Sequence, residues 1–158
     1  MTDEFQRCFQ FESAEETANF AAAIAPQLAT GDTILLAGGL GAGKTHFARS
    51  LIQARLARVG RLEDVPSPTF TLVQTYSDGV VEIWHADLYR LTNDDDVFEL
   101  GLEEAMDHAI CLVEWPDRLG DALPKGALHL TFAMTKIPGQ RQITAKFDNP
   151  RWISVLDG

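Results

Sequence analysis

Apolar and polar residues recur with two different periods along the first part of the chain. Residues 5–11 alternate in polarity, which predicts a strand with one buried face. Ser13 to Glu16 form a capping box, and the alanine-rich segment that follows predicts a helix to about Leu28. Residues 33–37 form a nearly continuous apolar run, which is typical of a strand buried on both faces of a sheet.

A second apolar run and several shorter patterns follow. Residues 109–113 are all apolar, which predicts another central strand. The segments 70–76 and 80–87 flank Ser77-Asp78-Gly79 and predict a hairpin, and Pro66-Ser67-Pro68 predicts a loop before it. The remaining predicted elements are a helix over 44–58, two short helices within 93–107 that break at Gly101, and strands near 127–134, 141–147 and 152–156.

Residues 38–45, Gly-Gly-Leu-Gly-Ala-Gly-Lys-Thr, match the phosphate-binding pattern GxxxxGK(S/T). A strand before this loop and a helix after it would aim backbone N–H groups and the positive end of a helix dipole at one point. Lys44 would offer a charge to the β- and γ-phosphates, and Thr45 a hydroxyl to the accompanying metal. The predicted fold class is therefore α/β: a single P-loop NTPase domain with a mixed, mostly parallel sheet, flanking helices and antiparallel C-terminal strands.

Carboxylates at the ends of two predicted strands are candidates for the rest of the site. Glu114 follows the second apolar run, so it would hold Mg²⁺ directly or through water, or orient an attacking water. Asp87 ends the other strand and could polarise water or share the metal shell. The pattern leaves open whether His85 is packed, partner-facing or catalytic, and whether Arg90 pairs with phosphate or with an acid.

A hydroxyl-bearing loop precedes these acids. Ser67-Pro68-Thr69-Phe70 lies where nucleotide switches often have a mobile loop, and Thr69 would then sense the γ-phosphate and Mg²⁺; a rigid proline turn is the alternative. The guanine-reading sequence Asn-Lys-x-Asp is absent, and residues 117–120 match DxxG only beyond Pro116. These observations favour ATP as the nucleotide.

Composition and charge restrict the partners of the 158-residue chain. No apolar stretch approaches the roughly 18 residues needed to span a bilayer, and the acidic start is unlike a secretion signal. We therefore expect a cytoplasmic protein with no membrane contact. The net charge of −10 opposes autonomous binding to DNA or RNA. Cys8 and Cys111 fit neither a disulfide framework nor a metal site, and we expect both to be buried and reduced.

The charges are unevenly distributed along the chain. Acidic residues are concentrated between positions 94 and 107, and basic residues between positions 136 and 151. Each group forms either a solvated face or a docking surface for a partner of opposite charge.

Five motifs occur in a fixed order: Gly-Gly-Leu-Gly-Ala-Gly-Lys-Thr at 38, Ser-Pro-Thr-Phe-Thr-Leu-Val at 67, His-Ala-Asp-Leu-Tyr-Arg-Leu at 85, Glu-Leu-Gly-Leu-Glu-Glu at 99 and Cys-Leu-Val-Glu-Trp-Pro at 111. Over about residues 10–145, this combination resembles the small bacterial P-loop ATPases of the TsaE (YjeE) type. That family serves biosynthesis of the threonylcarbamoyladenosine modification of tRNA. The chain departs from the family at Gly39, where an Asp is usual, but the loop backbone should be indifferent to this change.

The resemblance implies roles for residues at matching positions. Thr45 and Glu114 would hold Mg²⁺, and the catalytic set would be Lys44, Glu114, Asp87 and Thr69, with Asp87 also at the nucleotide. The residues that would wrap the phosphates are Leu40, Gly41, Ala42, Gly43, Lys44 and Thr45. Those that would approach the nucleotide from its edges are Ala14, Gln140 and Arg141, with Trp115 beside the site.

The resemblance also implies a partner. A TsaD–TsaB-type heterodimer would transfer the modifying group, and the present chain would bind that pair in a nucleotide-dependent way and hydrolyse ATP to reset the assembly. It would contact tRNA only indirectly, and its turnover would be low or partner-dependent. One alternative is a small-molecule kinase, although the region after Lys44 has no arginine-rich lid. Another is a regulatory ATP-binding module without relevant hydrolysis.

Overall fold

A seven-stranded sheet organises the computed structural model, which describes residues 4–91 and 100–157. The strand order is β1-β7-β6-β2-β5-β4-β3. The four central strands β6, β2, β5 and β4 are parallel, while the pairs β1–β7, β6–β7 and β3–β4 are antiparallel. The strands are β1 (Phe5–Phe11), β2 (Thr33–Gly38), β3 (Val73–Ser77), β4 (Glu82–Asp87), β5 (Ile110–Glu114), β6 (Leu128–Met134) and β7 (Arg141–Phe147). The mixed sheet with a parallel centre confirms the predicted fold class.

Helices cover both faces of this sheet. The α-helices are α1 (Ala14–Ile24), α2 (Lys44–Ala57), α3 (Leu102–His108) and α4 (Arg151–Asp157), and short 3-10 helices span Ala25–Gln27 and Pro116–Ala122. The hydroxyl of Ser13 accepts from the backbone N–H of Glu16 at 3.2 Å, and the Glu16 carboxylate accepts from the N–H of Glu12 at 3.3 Å. The predicted capping box therefore begins α1, with its return bond one residue earlier than expected.

Strand β2 separates the two apolar layers of the core. Ile34 and Leu36 pack in the layer that contains Phe47 of α2, whereas Leu35 packs with Met106 of α3 on the opposite face. Alternate side chains of a strand point to opposite faces, so burial on both sides requires the continuous apolar run seen in the sequence. This packing fixes the end of β2, from which the glycine-rich loop emerges.

The prediction of a strand over 152–156 is wrong, because α4 occupies this segment. The side-chain oxygen of Asn149 accepts from the N–H of Arg151 at 3.0 Å, and Pro150 lies between them. Asn before Pro is a favoured way to begin a helix. Trp152 and Val155 are the buried residues of α4, and their spacing of three is helical.

Two further expectations need adjustment. The hairpin is confirmed, but β3 begins only at Val73, because the backbone N–H of Leu72 bonds to the carbonyl of Pro68 at 2.6 Å and closes a turn there. Cys111 is buried as expected, and burial raises the pKa of its thiol to about 12, whereas Cys8 on the edge strand β1 is exposed.

The predicted helices within 93–107 are described in part. Gly101 adopts a φ of 75° and α3 follows it, which confirms the second helix and its start after Gly101. Residues 93–99 lie outside the described residues. Within the described ranges, no helix is both long enough and apolar enough to cross a bilayer.

Candidate nucleotide-binding site

The glycine-rich loop joins the end of β2 to the start of α2. At Gly38, φ is +137° and an added Cβ would lie 2.4 Å from the carbonyl oxygen of Phe132 on β6, so only glycine fits this close approach. Gly43 precedes α2 with a φ of 106°. A Cβ on Gly39 would meet nothing within 4 Å. The path of the loop therefore depends on Gly38 and Gly43, and position 39 has room for a side chain.

The ammonium group of Lys44 lies inside the curve of this loop. Its Nζ donates to the carbonyl oxygen of Gly38 at 2.6 Å and lies 3.5 Å from the centroid of the Trp115 ring. Burial lowers the pKa of Lys44, while the carboxylates of Glu114 and Asp87 act in the opposite direction. The lysine is thus a buried cation held by a carbonyl and an aromatic face.

The first residues of α2 meet the end of β5 through a hydrogen bond between side chains. The Thr45 hydroxyl donates to Glu114 Oε1 at 2.7 Å. The second carboxylate oxygen, Oε2, lies 2.7 Å from Nε2 of His85 on β4. Glu114 and His85 are both buried. This arrangement follows from topology, because β2, β5 and β4 are adjacent and parallel and their carboxyl ends lie at one edge of the sheet.

A second carboxylate lies beside the first. Asp87 is the register partner of Glu114 across the β4–β5 pair. Its Oδ2 accepts from the Thr69 hydroxyl at 3.2 Å, and its Oδ1 accepts from the N–H of Tyr89 at 3.0 Å. The Ser67 hydroxyl lies 2.7 Å from that of Thr69. In the part of the chain that the structure describes, one side-chain hydrogen bond therefore joins the Ser-Pro-Thr loop to the strand-end acid.

These groups surround a cavity of about 380 Å³. Its lining consists of Ala14, Thr17, Leu40, Gly41, Gly43, Lys44, Thr45, His46, Thr69, Asp87, Glu114, Trp115, Gly139 and Arg141. Most of the predicted site residues thus share one cavity. Ala42 does not line it, because this residue is buried within the loop.

The segment at residues 139–141 closes the far side of the cavity. The guanidinium of Arg141 donates to the carbonyl oxygens of Ala42 at 3.0 Å and Gly41 at 3.3 Å. Gln140 lies behind the wall, where its amide donates to Glu12 at 2.8 Å and accepts from the Thr135 hydroxyl at 2.6 Å. Arg141 thus contacts the loop backbone, and Gln140 supports the segment that carries it.

The sequence analysis did not identify three of the lining residues. Thr17 follows Ala14 by one helical turn, so the periodicity of α1 could have indicated it. His46 directly follows the phosphate-binding motif, and its Nε2 lies 2.8 Å from the carbonyl oxygen of Ala14. Gly139 lies in the turn two residues before the expected Arg141, which begins β7. Across residues 4–91 and 100–157, no three His, Cys, Asp or Glu side chains are grouped to hold a metal by themselves.

A glycine loop between a buried strand and a helix, with an acidic residue at the end of the neighbouring parallel strand, defines the class of this protein: it has a P-loop NTPase fold. Residues 11–143 match the family model described as "Threonylcarbamoyl adenosine biosynthesis protein TsaE". The chain therefore belongs to the TsaE family, whose members take part in threonylcarbamoyladenosine biosynthesis on tRNA.

Individual relatives agree with this assignment. The chain is 44% identical to the tRNA threonylcarbamoyladenosine biosynthesis protein TsaE of Rickettsia bellii over 71% of this chain and 76% of the relative. Its identity to the TsaE protein of Treponema pallidum is 33%, over 87% and 98% of the two chains. The crystal structure of Bacillus subtilis YdiB superposes with a TM-score of 0.74 at 28% identity, over 99% of this chain and 95% of that chain.

Proposed function

We propose that this chain binds ATP together with Mg²⁺ and hydrolyses it as an accessory protein of tRNA threonylcarbamoyladenosine modification. Its turnover is low or depends on a TsaD–TsaB-type heterodimer. The observation that carries the proposal is the 2.7 Å hydrogen bond between Thr45 and Glu114. A P-loop threonine and a strand-end carboxylate are the pair that holds the metal of a nucleotide in this class of site.

The phosphate contacts are assigned to the loop. The backbone N–H groups of residues 40–45 would receive the phosphate oxygens, and Lys44 would leave the Gly38 carbonyl to contact them. Arg141 holds the carbonyl oxygens of Gly41 and Ala42, which supports a fixed loop path. Ala14 and the segment at Gln140 would border the nucleotide.

The residues present fit a magnesium ion. Mg²⁺ prefers oxygen ligands and is commonly held by one or two carboxylates together with substrate phosphates and water. Thr45 and Glu114 supply two such oxygens at the cavity. Because phosphate and water provide the other ligands, this site does not need a cluster of three acidic side chains. When bound, the ion would neutralise phosphate charge.

Asp87 and Thr69 complete the proposed catalytic set. Asp87 lines the cavity next to Glu114, so its carboxylate can orient water near the terminal phosphate. The Thr69 hydroxyl donates a hydrogen bond to Asp87. Among the described residues, this is the only side-chain hydrogen bond between the Ser-Pro-Thr loop and this acid. We infer that this loop rearranges when nucleotide enters, which would report the nucleotide state to a partner.

Family membership supports the partner and the compartment. Proteins of this family belong to a tRNA modification system, so the proposed site of action is the cytoplasm. The net charge of −10 agrees with contact to tRNA through a partner rather than directly.

Steady-state hydrolysis tests the enzymatic part of the proposal. ATP turnover is measured with and without Mg²⁺, alone and with a purified TsaD–TsaB-type pair, for the wild type and for Thr45→Val. The matched control is Thr75→Val, because Thr75 is exposed on β3. We expect Mg²⁺-dependent turnover that the pair increases and that Thr45→Val abolishes. Turnover that is unchanged in Thr45→Val would contradict the site assignment.

Affinity capture from a bacterial lysate tests the partner. We expect recovery of a tRNA-modifying pair with ATP and Mg²⁺, and much less without nucleotide. ATP binding without any hydrolysis in the presence of the pair would favour a regulatory module, and phosphate transfer to a small acceptor would favour a kinase.

A further inference from the structure

His85 on β4 has no exposed surface, although histidine is a polar side chain. Among the described residues, its side chain makes one hydrogen bond, which joins Nε2 to Glu114 Oε2 at 2.7 Å. The other ring nitrogen, Nδ1, has no hydrogen-bond partner within residues 4–91 and 100–157. A buried polar ring with one unsatisfied nitrogen costs free energy relative to an apolar residue of similar size. The bond to Glu114 is therefore the feature that distinguishes His85 from a packing residue.

The carboxylate of Glu114 depends on such donors. It is 2% exposed, so little water can solvate it, and its two oxygens accept from two different elements of the fold. Oε1 accepts from Thr45 at the start of α2, and Oε2 accepts from His85 on β4. Two donors on opposite oxygens fix the orientation of the carboxylate plane.

The direction of the His85 bond follows from the chemistry of its acceptor. An ionised carboxylate can only accept hydrogen bonds, so Nε2 is the protonated ring nitrogen and donates to Oε2. Donors to a ligating carboxylate orient it, and their loss typically weakens metal binding.

We propose that His85 is a positioning residue that holds the Glu114 carboxylate in the orientation that presents Oε1 to Thr45 and to the metal. The inference rests on the proposed function, because it concerns the same Mg²⁺ site. His85 does not line the cavity, and its side chain is bonded to Glu114, so it would act on the metal site through Glu114. Its loss should therefore affect the metal dependence of ATP binding and leave metal-free contacts with the loop unchanged.

The test is the Mg²⁺ concentration that half-saturates the enhancement of ATP binding, measured by calorimetry. His85→Leu keeps an apolar side chain of similar size and removes the donor, whereas His85→Gln can place an amide N–H near the position of Nε2. Ile83→Val is the matched control, because Ile83 is buried on the same face of β4 without a polar bond. We expect the half-saturating concentration to rise about 10- to 100-fold in His85→Leu, to return most of the way in His85→Gln, and to stay unchanged in Ile83→Val.

Different outcomes separate this inference from the proposed function. A wild type whose ATP binding does not respond to Mg²⁺ overturns both. A Mg²⁺-dependent wild type and a His85→Leu variant with the same half-saturating concentration overturn the role of His85 alone. If His85→Leu shows no cooperative unfolding transition, and so is not properly folded, the His85→Gln variant decides the question. A half-saturating Mg²⁺ concentration like that of the wild type then supports a donor role. A rise of about 10-fold, as expected for a missing donor, contradicts it.

Discussion

The Thr45 hydroxyl and the Glu114 carboxylate are 69 positions apart in the sequence and 2.7 Å apart in the fold. Thr45 is the second residue of α2, which follows the glycine loop, and Glu114 ends β5, which pairs in parallel with β2. The contact joins the phosphate-binding loop to the sheet at the edge where parallel α/β proteins bind their ligands. The proposed metal site therefore follows from the strand order, and it should respond to changes on either side of this bond.

Replacing Glu114 by Gln should remove hydrolysis more than binding. The amide keeps the size of the side chain but loses the charge that anchors the metal, whereas the loop contacts to phosphate remain. We expect turnover with the partner pair to fall by about 100-fold or more, with a change of only a few-fold in ATP affinity at saturating Mg²⁺. Glu104→Gln, at an exposed position of α3, is the control. An unchanged turnover number for Glu114→Gln would show that this carboxylate has no role in hydrolysis.

Trp115 should report the arrival of phosphate. Its ring lies 3.5 Å from Lys44 Nζ, and the lysine must move toward the phosphates when ATP binds. We expect the intrinsic fluorescence to change on ATP addition in the wild type and in Trp84→Phe, and this response to disappear in Trp115→Phe. A response that persists in Trp115→Phe would mean that another tryptophan senses the nucleotide.

Asp78, in the hairpin turn between β3 and β4, should make the free energy of unfolding depend on pH at acidic values. Burial alone would raise the pKa of Asp78, but the backbone N–H groups of Val81 and Val80 and the Arg55 guanidinium lower it from 3.8 to about 2. A lowered carboxyl pKa stabilises the fold above the unfolded-state value, and the benefit is lost as pH falls from about 4 to about 2. The lowered pKa of Asp78 stabilises the fold by about 2 kcal/mol at neutral pH.

Urea denaturation of the wild type and of Asp78→Asn at pH 6 and pH 2.5 measures this effect. We expect the wild type to have the larger free energy of unfolding at pH 6, and the difference between the two proteins to shrink by about 1.5 kcal/mol at pH 2.5, where the folded-state carboxyl is partly protonated. Asp107→Asn, at an exposed position of α3, serves as the control. A constant difference between the two pH values would contradict the assigned role of Asp78.

Two neighbouring glycines should differ in their tolerance of alanine. A Cβ at Gly38 would lie 2.4 Å from the carbonyl oxygen of Phe132, and the φ of +137° adds strain. We expect Gly38→Ala to lower the free energy of unfolding by at least about 2 kcal/mol. Gly39→Ala should change it by less than about 0.5 kcal/mol, because nothing lies within 4 Å of that Cβ. Equal thermal stability of the two variants would refute this account of the loop.

The elements that sequence predicted well are those whose local signals agree with their tertiary setting. The buried strand before the loop and the capping box of α1 carry both kinds of information, so β2 and α1 were found. The strand predicted over 152–156 failed because apolar content outweighed the Asn149-Pro150 start signal of α4. Short apolar segments are ambiguous between helix and strand unless such end signals are weighed.

The site residues likewise fall into those that the sequence indicates and those that only the fold reveals. Lys44, Thr45 and Glu114 belong to motifs with a fixed spacing from a strand, so the sequence alone indicates them. The bond from His85 to Glu114 depends on the register between β4 and β5, which no local pattern contains. Contacts between distant segments require the strand order, and this is the information that the fold adds.

The central claim is that the loop at residues 38–45 binds the phosphates of ATP, and calorimetric titration with ATP and Mg²⁺ tests it most directly. The wild type should bind, and Lys44→Ala should lose affinity by about 100-fold or more, because at least two charge-assisted contacts of about 1.5–3 kcal/mol each disappear. Lys125→Ala, an exposed change remote from the loop, should bind as the wild type does. Wild-type affinity in a folded Lys44→Ala protein would contradict the phosphate-loop assignment and the function proposed from it.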